Sequence, residues 1–363
     1  MSRPTVGHRF ASEHVCELWL VVALCALLLP SSASAAPCTP VDGIESICSL
    51  VAPEDIVRSS SAQHLVFGQL AAPGGLYLLD TRDDAVLSLT SPESLEIDAE
   101  AGWGDPACSA PPQQWLLHGL DSAARPDGRW QVLAVNHGGR EAVEFFELKP
   151  VEEGGLRAIW RGCVEAPQEG NFNDVASLSD GGFVVSQPTV AGAGIGTALL
   201  ALLGVDSGAV YRWRPGRGFS EQPGTRGRFP NGVVVSADER ILYMNEYIAG
   251  RVRLVDMTTG ASLGVLEIDK PDNSNWSQDG KLLVASHKAS IFEVGDSREQ
   301  SNDEPSLLPF SIVEVDPDTL ETRELVFREG LPMGAGTAAV DAGSALYIGS
   351  YVGDRIIKIP LSR

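Results

Sequence analysis

The stretch FPNGVVVSADERILYMNEYIAGRVRLVDM, Phe229 to Met257, holds three short apolar runs separated by the polar turns SADER and EYIAGR. Short runs rich in Val, Ile, Leu and Tyr, punctuated by Gly, Asp and Ser, signal antiparallel strands. Asn231 stands seven residues ahead of Asp238 in the first turn. The same offset recurs from Glu54 to Ser61 before HLVFG, from Asn173 to Asp180 before GGFVV, and from Asp272 to Asp279 before KLLVA. Self-similarity at a fixed offset over a whole chain means that one supersecondary unit is copied. The residues at the repeated position, here called nodes, then occupy equivalent places in space.

The nodes at His118, Asn173, Asn231 and Asn273 are 55, 58 and 42 residues apart. Units of that size with three or four strands fit propeller blades, and about six fill the chain. A β-sandwich would also show short strands, but would not repeat like polar residues at like positions. The predicted fold is therefore all-β, a six-bladed β-propeller with a central calcium-binding tunnel. The N-terminal strand near HLVFGQL and the C-terminal strands near ALYIGSY are expected to share a blade and close the ring. One segment breaks the pattern: VAGAGIGTALLALLGV, Val190 to Val205. It predicts a helical insertion of about three turns, either packed on the propeller edge or forming a lid or apolar wall over the top-face pocket that touches lipid.

Arg3 and Arg9, the apolar run Leu18 to Leu29 and the small residues Ala33-Ser34-Ala35 form a secretory leader pattern, with cleavage expected after Ala35. Residues 1–35 are thus read as leader and 36–363 as a single propeller domain, secreted or periplasmic, with no later membrane span. A net charge of −21 with no basic stripe excludes nucleic acid as a partner. Export allows Cys38, Cys48, Cys108 and Cys163 to form disulfides in three possible connectivities. Cys108 and Cys163 each precede a node by ten residues, which favours pairing them and leaves Cys38 with Cys48.

Oxygen-bearing side chains that converge on one axis from several blades suit a hard cation such as calcium. The motifs PED (Pro53 to Asp55), LHGL (Leu117 to Leu120), AVNH (Ala134 to His137), FNDV (Phe172 to Val175), PNGV (Pro230 to Val233) and PDNS (Pro271 to Ser274) resemble, in that order, those of the paraoxonases. That family consists of six-bladed propeller lactonases and arylesterases with two calcium ions, within the wider SMP-30/gluconolactonase superfamily. The resemblance runs from about Cys38 to the C-terminus. It implies a catalytic calcium held by Glu54, Asn173, Asn231, Asp272 and Asn273, and a deeper structural calcium held by Asp55, Asp174 and the Leu120 carbonyl. Two carboxylates neutralise the upper ion while three amides complete its oxygen shell.

The resemblance also implies a histidine dyad, with His118 as the base toward water and His137 supporting it, and a pocket-wall histidine at His287. Gln187, Glu246, Tyr247 and Tyr351 end equivalent strands and are expected to ring the pocket mouth. Water and metal are expected to carry the chemistry. The paraoxonases pair a cysteine at the position of Cys38 with one near the C-terminus, and RIIKIPLSR has none. Three functions follow: a calcium-dependent lactonase acting on small lactones or esters, with arylesterase side activity; a gluconolactonase-type sugar lactonase; and a non-catalytic, calcium-stabilised binding module.

Overall fold

The computed structural model describes residues 38–361 apart from Glu153 and Glu169. The predicted leader and its cleavage point after Ala35 lie outside the described residues. Among the described residues no helix is long and apolar enough to cross a membrane.

Six sheets are present, five of four strands and one of five. Their first strands are Pro53–Arg58, Leu117–Ala124, Val175–Ser177, Pro230–Val235, Pro271–Trp276 and Gly336–Asp341. Each of these contacts the next, and the sixth contacts the first, so they stand in a closed circle. This is the six-bladed propeller that the repeat predicts. The predicted turns form as side-chain-capped loops, in which Asp180 Oδ1 accepts the Gly182 N–H at 2.9 Å, Asp127 Oδ1 that of Arg129 at 3.0 Å, and Asp238 Oδ1 that of Arg240 at 3.2 Å. Apolar faces of adjacent blades interlock; Leu78 of blade one meets Phe146, Leu148 and Trp160 of blade two in one buried cluster.

Ring closure differs from the expectation in its strand. HLVFGQ is the second strand of blade one, paired on one side with Pro53–Arg58 and on the other with Gly75–Asp80. Both of its edges are taken, so it has no free edge to offer blade six. The closing strand is Glu45–Ile47, which pairs antiparallel with Ile356–Pro360 on the outside of blade six. The Cys38–Cys48 disulfide brackets that strand, and Cys108–Cys163 joins two segments of blade two. Both favoured pairings are present.

Two short helices interrupt the sheets. The first, α1, spans Ile195–Leu202 and is shorter than the three turns expected over Val190 to Val205. Gly192 (φ 75°) and Gly204 (φ 95°) adopt left-handed conformations on either side and confine the helix to eight residues. The second, α2, spans Ile291–Ser297 and begins with a capping box, Ser290 accepting from the Glu293 N–H and Glu293 from the Ser290 N–H. Each helix connects the second and third strands of its blade, in blades three and five.

Candidate active site

The nodes owe their direction to a backbone device that recurs in the blades. In four of them the residue just before the first strand has positive φ: Ala52 (46°), Phe229 (61°), Lys270 (39°) and Ala335 (51°). Left-handed non-glycine residues are costly and cluster at functional sites. A break in strand register follows at once in these blades, between Pro53 and Ile56, Pro230 and Val233, Pro271 and Ser274, and Gly336 and Ala338, and blade two has a like break between Leu117 and Leu120 without the positive φ. Four of these breaks leave a pair of residues unpaired: Glu54-Asp55, His118-Gly119, Asn231-Gly232 and Asp272-Asn273. Such a bulge re-aims two neighbouring side chains that a regular strand would send to opposite faces. Where the second node residue has no room it is glycine: a Cβ on Gly119 would lie 2.4 Å from Asp174 Oδ1.

These bulges bring Glu54, Asp55, Asn231, Asp272 and Asn273 into the interior, and the segment just ahead of Val175–Ser177, bonded to the Ser186 backbone, brings Asn173 and Asp174. Glu54, Asp55, Asn173, Asp174, Asn231, Asp272 and Asn273 are all buried. Asn273 Nδ2 donates to Glu54 Oε1 at 2.8 Å. Glu54 Oε2 and the Oδ1 atoms of Asn173, Asn231 and Asn273 are buried without any hydrogen-bond partner. Four orphaned oxygens from four blades are costly unless a cation takes them up. With Asp272 they make a hard, oxygen-only donor set that fits calcium.

The deeper pair is arranged differently. Asp55 Oδ2 accepts the Leu120 N–H at 2.7 Å and Asp174 Oδ2 accepts the Val233 N–H at 2.7 Å. Each carboxylate thereby ties its blade to the next. Leu120 thus meets Asp55 through its N–H, which sets the Leu120 backbone beside the deeper carboxylates. Burial pushes Asp55 and Asp272 up to about 7. Burial, and then neighbouring carboxylates, push Glu54 and Asp174 well above the usual range. Among the described residues no lysine or arginine pairs with any of the four. A buried cluster of this sign fits a divalent cation at the deeper level too.

His118 and His137 come together as a dyad. His118 Nδ1 lies 3.0 Å from His137 Nε2, and His118 Nε2 lies 3.3 Å from Asn173 Nδ2 and 3.7 Å from Glu54 Oε1. The sequence reading missed the third member, Glu141, whose Oε2 lies 2.7 Å from His137 Nδ1. Its Oε1 accepts the Phe172 N–H at 2.6 Å, next to Asn173. The chain of contacts fixes the tautomers: His137 donates through Nδ1–H to Glu141 and accepts from His118 Nδ1–H, which leaves the lone pair of His118 on Nε2, beside Asn173 Nδ2 and Glu54 Oε1. Burial, reinforced by His137 and Arg298, holds His118 well below the ordinary histidine value. Its imidazole is therefore neutral at pH 7.

Across the tunnel His287 is buried, with Nε2 at 3.4 Å from Asp272 Oδ2 and Nδ1 at 2.8 Å from the Tyr247 hydroxyl. Burial, and then Arg298, bring it down to about 4. His287, Tyr247, Asn231 and Asp272 wall a cavity of about 400 Å³, roofed by Leu199 and Leu202 of α1 and by α2. Tyr351 stands behind, its ring 5.5 Å from that of His287.

Two of the expected rim residues do not belong to this wall. Glu246 is fully buried, paired with Arg251 and lying 3.6 Å from Arg253, so its charge is spent inside the blade. Gln187 is buried in its own sheet beside Ala209. The sequence reading missed α2 and Arg298, although the Ser290-x-x-Glu293 capping box was a legible signal.

A circle of six sheets around buried carboxylates and amides is a six-bladed propeller with an acidic interior. A profile of the SMP-30/gluconolactonase/LRE-like region matches residues 74–302, more than half of the sequence. The chain belongs to this family. Among solved structures, a luciferin-regenerating enzyme shares the fold at 14% identity and a TM-score of 0.52, over 90% of this chain and 96% of its own. A gluconolactonase from Xanthomonas campestris aligns at 14% identity and a TM-score of 0.46, over 88% of this chain and 91% of its own. A search of curated proteins found no match.

Proposed function

We propose that the protein is a calcium-dependent lactone hydrolase of paraoxonase type, with aryl esters as a side activity. The observation that carries this reading is the set of partnerless buried oxygens beside a carboxylate-anchored histidine dyad. Family membership and the gluconolactonase neighbour support the reaction class. Glu54, Asn173, Asn231, Asp272 and Asn273 would hold the upper ion, and Asp55, Asp174 and the Leu120 carbonyl the deeper one. Calcium at the upper level would supply a Lewis acid for the lactone carbonyl.

His118 Nε2 takes the proton from water as it attacks that carbonyl, and His137 and Glu141 hold the imidazole in the required tautomer. The cavity orients the rest of the substrate. Phe229, Ile248 and Phe292 give it an apolar wall, which favours lactones with a hydrocarbon chain over sugar lactones. On the outside of α1, Leu200 is 51% and Leu203 81% exposed, which supports lipid contact through this segment. Two disulfides support an oxidising compartment.

The test is a panel of aliphatic, acyl-homoserine and sugar lactones assayed with and without a chelator. Calcium-dependent opening of the chain-bearing lactones is expected. Turnover confined to sugar lactones would make the protein a gluconolactonase-type enzyme, and calcium binding with no turnover would make it a binding module. Glu141→Gln is expected to lower kcat about tenfold or more with little change in KM, because an amide stabilises the His137 tautomer less well than a carboxylate. Wild-type kcat in that variant would remove Glu141 from the relay.

A further inference from the structure

Among the described residues Arg298 is the one cation lining the cavity, and neither the dyad nor the proposed cation sites use it; Asp296 and Glu299, also unused, line the same wall. Arg298, at the C-terminal end of α2, lines the cavity together with Asn231, Asp272 and His287. Its guanidinium lies over the Tyr351 ring, 5.5 Å from the centroid, and takes no carboxylate partner among the described residues. The platform beneath it is fixed. The Tyr351 hydroxyl is bonded to Ser297 Oγ and donates to the Val294 carbonyl at 3.4 Å, both in α2, while its ring meets His287 edge-on. A cation–π contact holds a guanidinium by its face and leaves its edge N–H groups free for a planar anion. Asp296 and Glu299 flank it on the same turn without pairing to it, so the cation stays available.

The field of Arg298 also reaches the reacting groups, opposing the effect of burial at Asp272 and adding to it at His287 and His118. The same cavity is lined by Asp272 and by the hydrocarbon of Phe229, Ile248, Ile291 and Val294. One chamber thus presents Asn231 and Asp272 of the proposed cation site, apolar side chains that suit a stem, and a cation that suits an anion.

We propose that the cavity selects lactones that carry an anionic substituent, most simply a carboxylate at the end of a short hydrocarbon stem, and that Arg298 holds that anion. The inference rests on the lactonase reading given above. It names the substrate class of the same site.

The deciding comparison uses an aliphatic lactone with a terminal carboxylate and the methyl ester of the same molecule. Wild type is expected to show a kcat/KM ratio of about ten or more in favour of the carboxylate, the size of a charge-assisted hydrogen bond. The ratio should fall as salt rises, approach one in Arg298→Met, and survive in part in Arg298→Lys. A wild-type ratio near one, or an unchanged ratio in Arg298→Met, would overturn the proposal. If neither lactone is opened, it is the lactonase reading that fails. Calorimetric binding of the ring-opened dicarboxylate against its half methyl ester then decides the anion subsite by the same ratio, with equal affinities overturning it.

Discussion

His118→Gln is expected to lower kcat for lactone opening by about 10²- to 10⁴-fold, the span typical of losing a positioned general base. Calcium affinity and the thermal midpoint should stay close to wild type. The reason lies in the division of labour within the tunnel. His118 contributes a nitrogen to a set of oxygens, and its short contacts run away from them, through His137 to Glu141. Glutamine keeps a polar group near Asn173 and Glu54 but cannot take up a proton. Asn231→Ala is the contrast, since it deletes one of the buried oxygens that no other group satisfies. It should weaken calcium binding and turnover together. The outcome that sinks the assignment is a His118→Gln enzyme within tenfold of wild-type kcat, or one whose rate returns when calcium is raised. In either case the dyad would only support the ligand set.

How much of this was legible in the sequence follows the physics of each feature. Repeats were legible because strand, turn and node are local: Asp180, Asp238 and Asp127 cap their turns with bonds to residues two positions on. That the oxygen-bearing side chains of the nodes share one buried place was legible for the same reason, once copied positions were taken as equivalent. The bulges at the nodes were not, because a register break is a property of two strands and leaves no mark on one of them. Ring closure was placed on the wrong strand because Glu45–Ile47 is only three residues long. It carries too little pattern to be seen without its partner, Ile356–Pro360.

Burial explains the other differences. Glu246 occupies the strand end expected of a rim residue, but Arg251 and Arg253 lie close enough to neutralise it, and a neutralised carboxylate need not face water. Glu141 went unseen because its partner His137 was assigned from a motif that ends before it. Arg298 belongs to a short helix that no repeat predicts, and a segment unique to one blade cannot be found by comparing blades.

Removing calcium should lower the thermal midpoint by roughly 10 to 20 °C. Free calcium at about a thousand times the dissociation constant contributes about 4 kcal/mol per site, and each kcal/mol moves the midpoint of a domain this large by about 2 °C or slightly more. The structural reason is the company that Glu54, Asp55, Asp174 and Asp272 keep: all four are buried, and none has a lysine or arginine partner among the described residues. Burial raises all four from the ordinary carboxylate range, and like charge adds to the effect at Glu54 and Asp174. A protein that folds around these groups needs a countercharge, and calcium held by them would supply it. Ions held only by exposed acidic residues would shift the midpoint by a degree or two and would be displaced by salt. Asp174→Asn separates the two cases by sign. With calcium present it removes a ligand and should lower the midpoint. In chelator it removes an uncompensated buried charge while keeping an oxygen for the Val233 N–H, and it should raise the midpoint by several degrees. A chelator shift below about 2 °C, or an Asp174→Asn midpoint that falls equally in both buffers, would show that the tunnel carboxylates are held by something other than a cation.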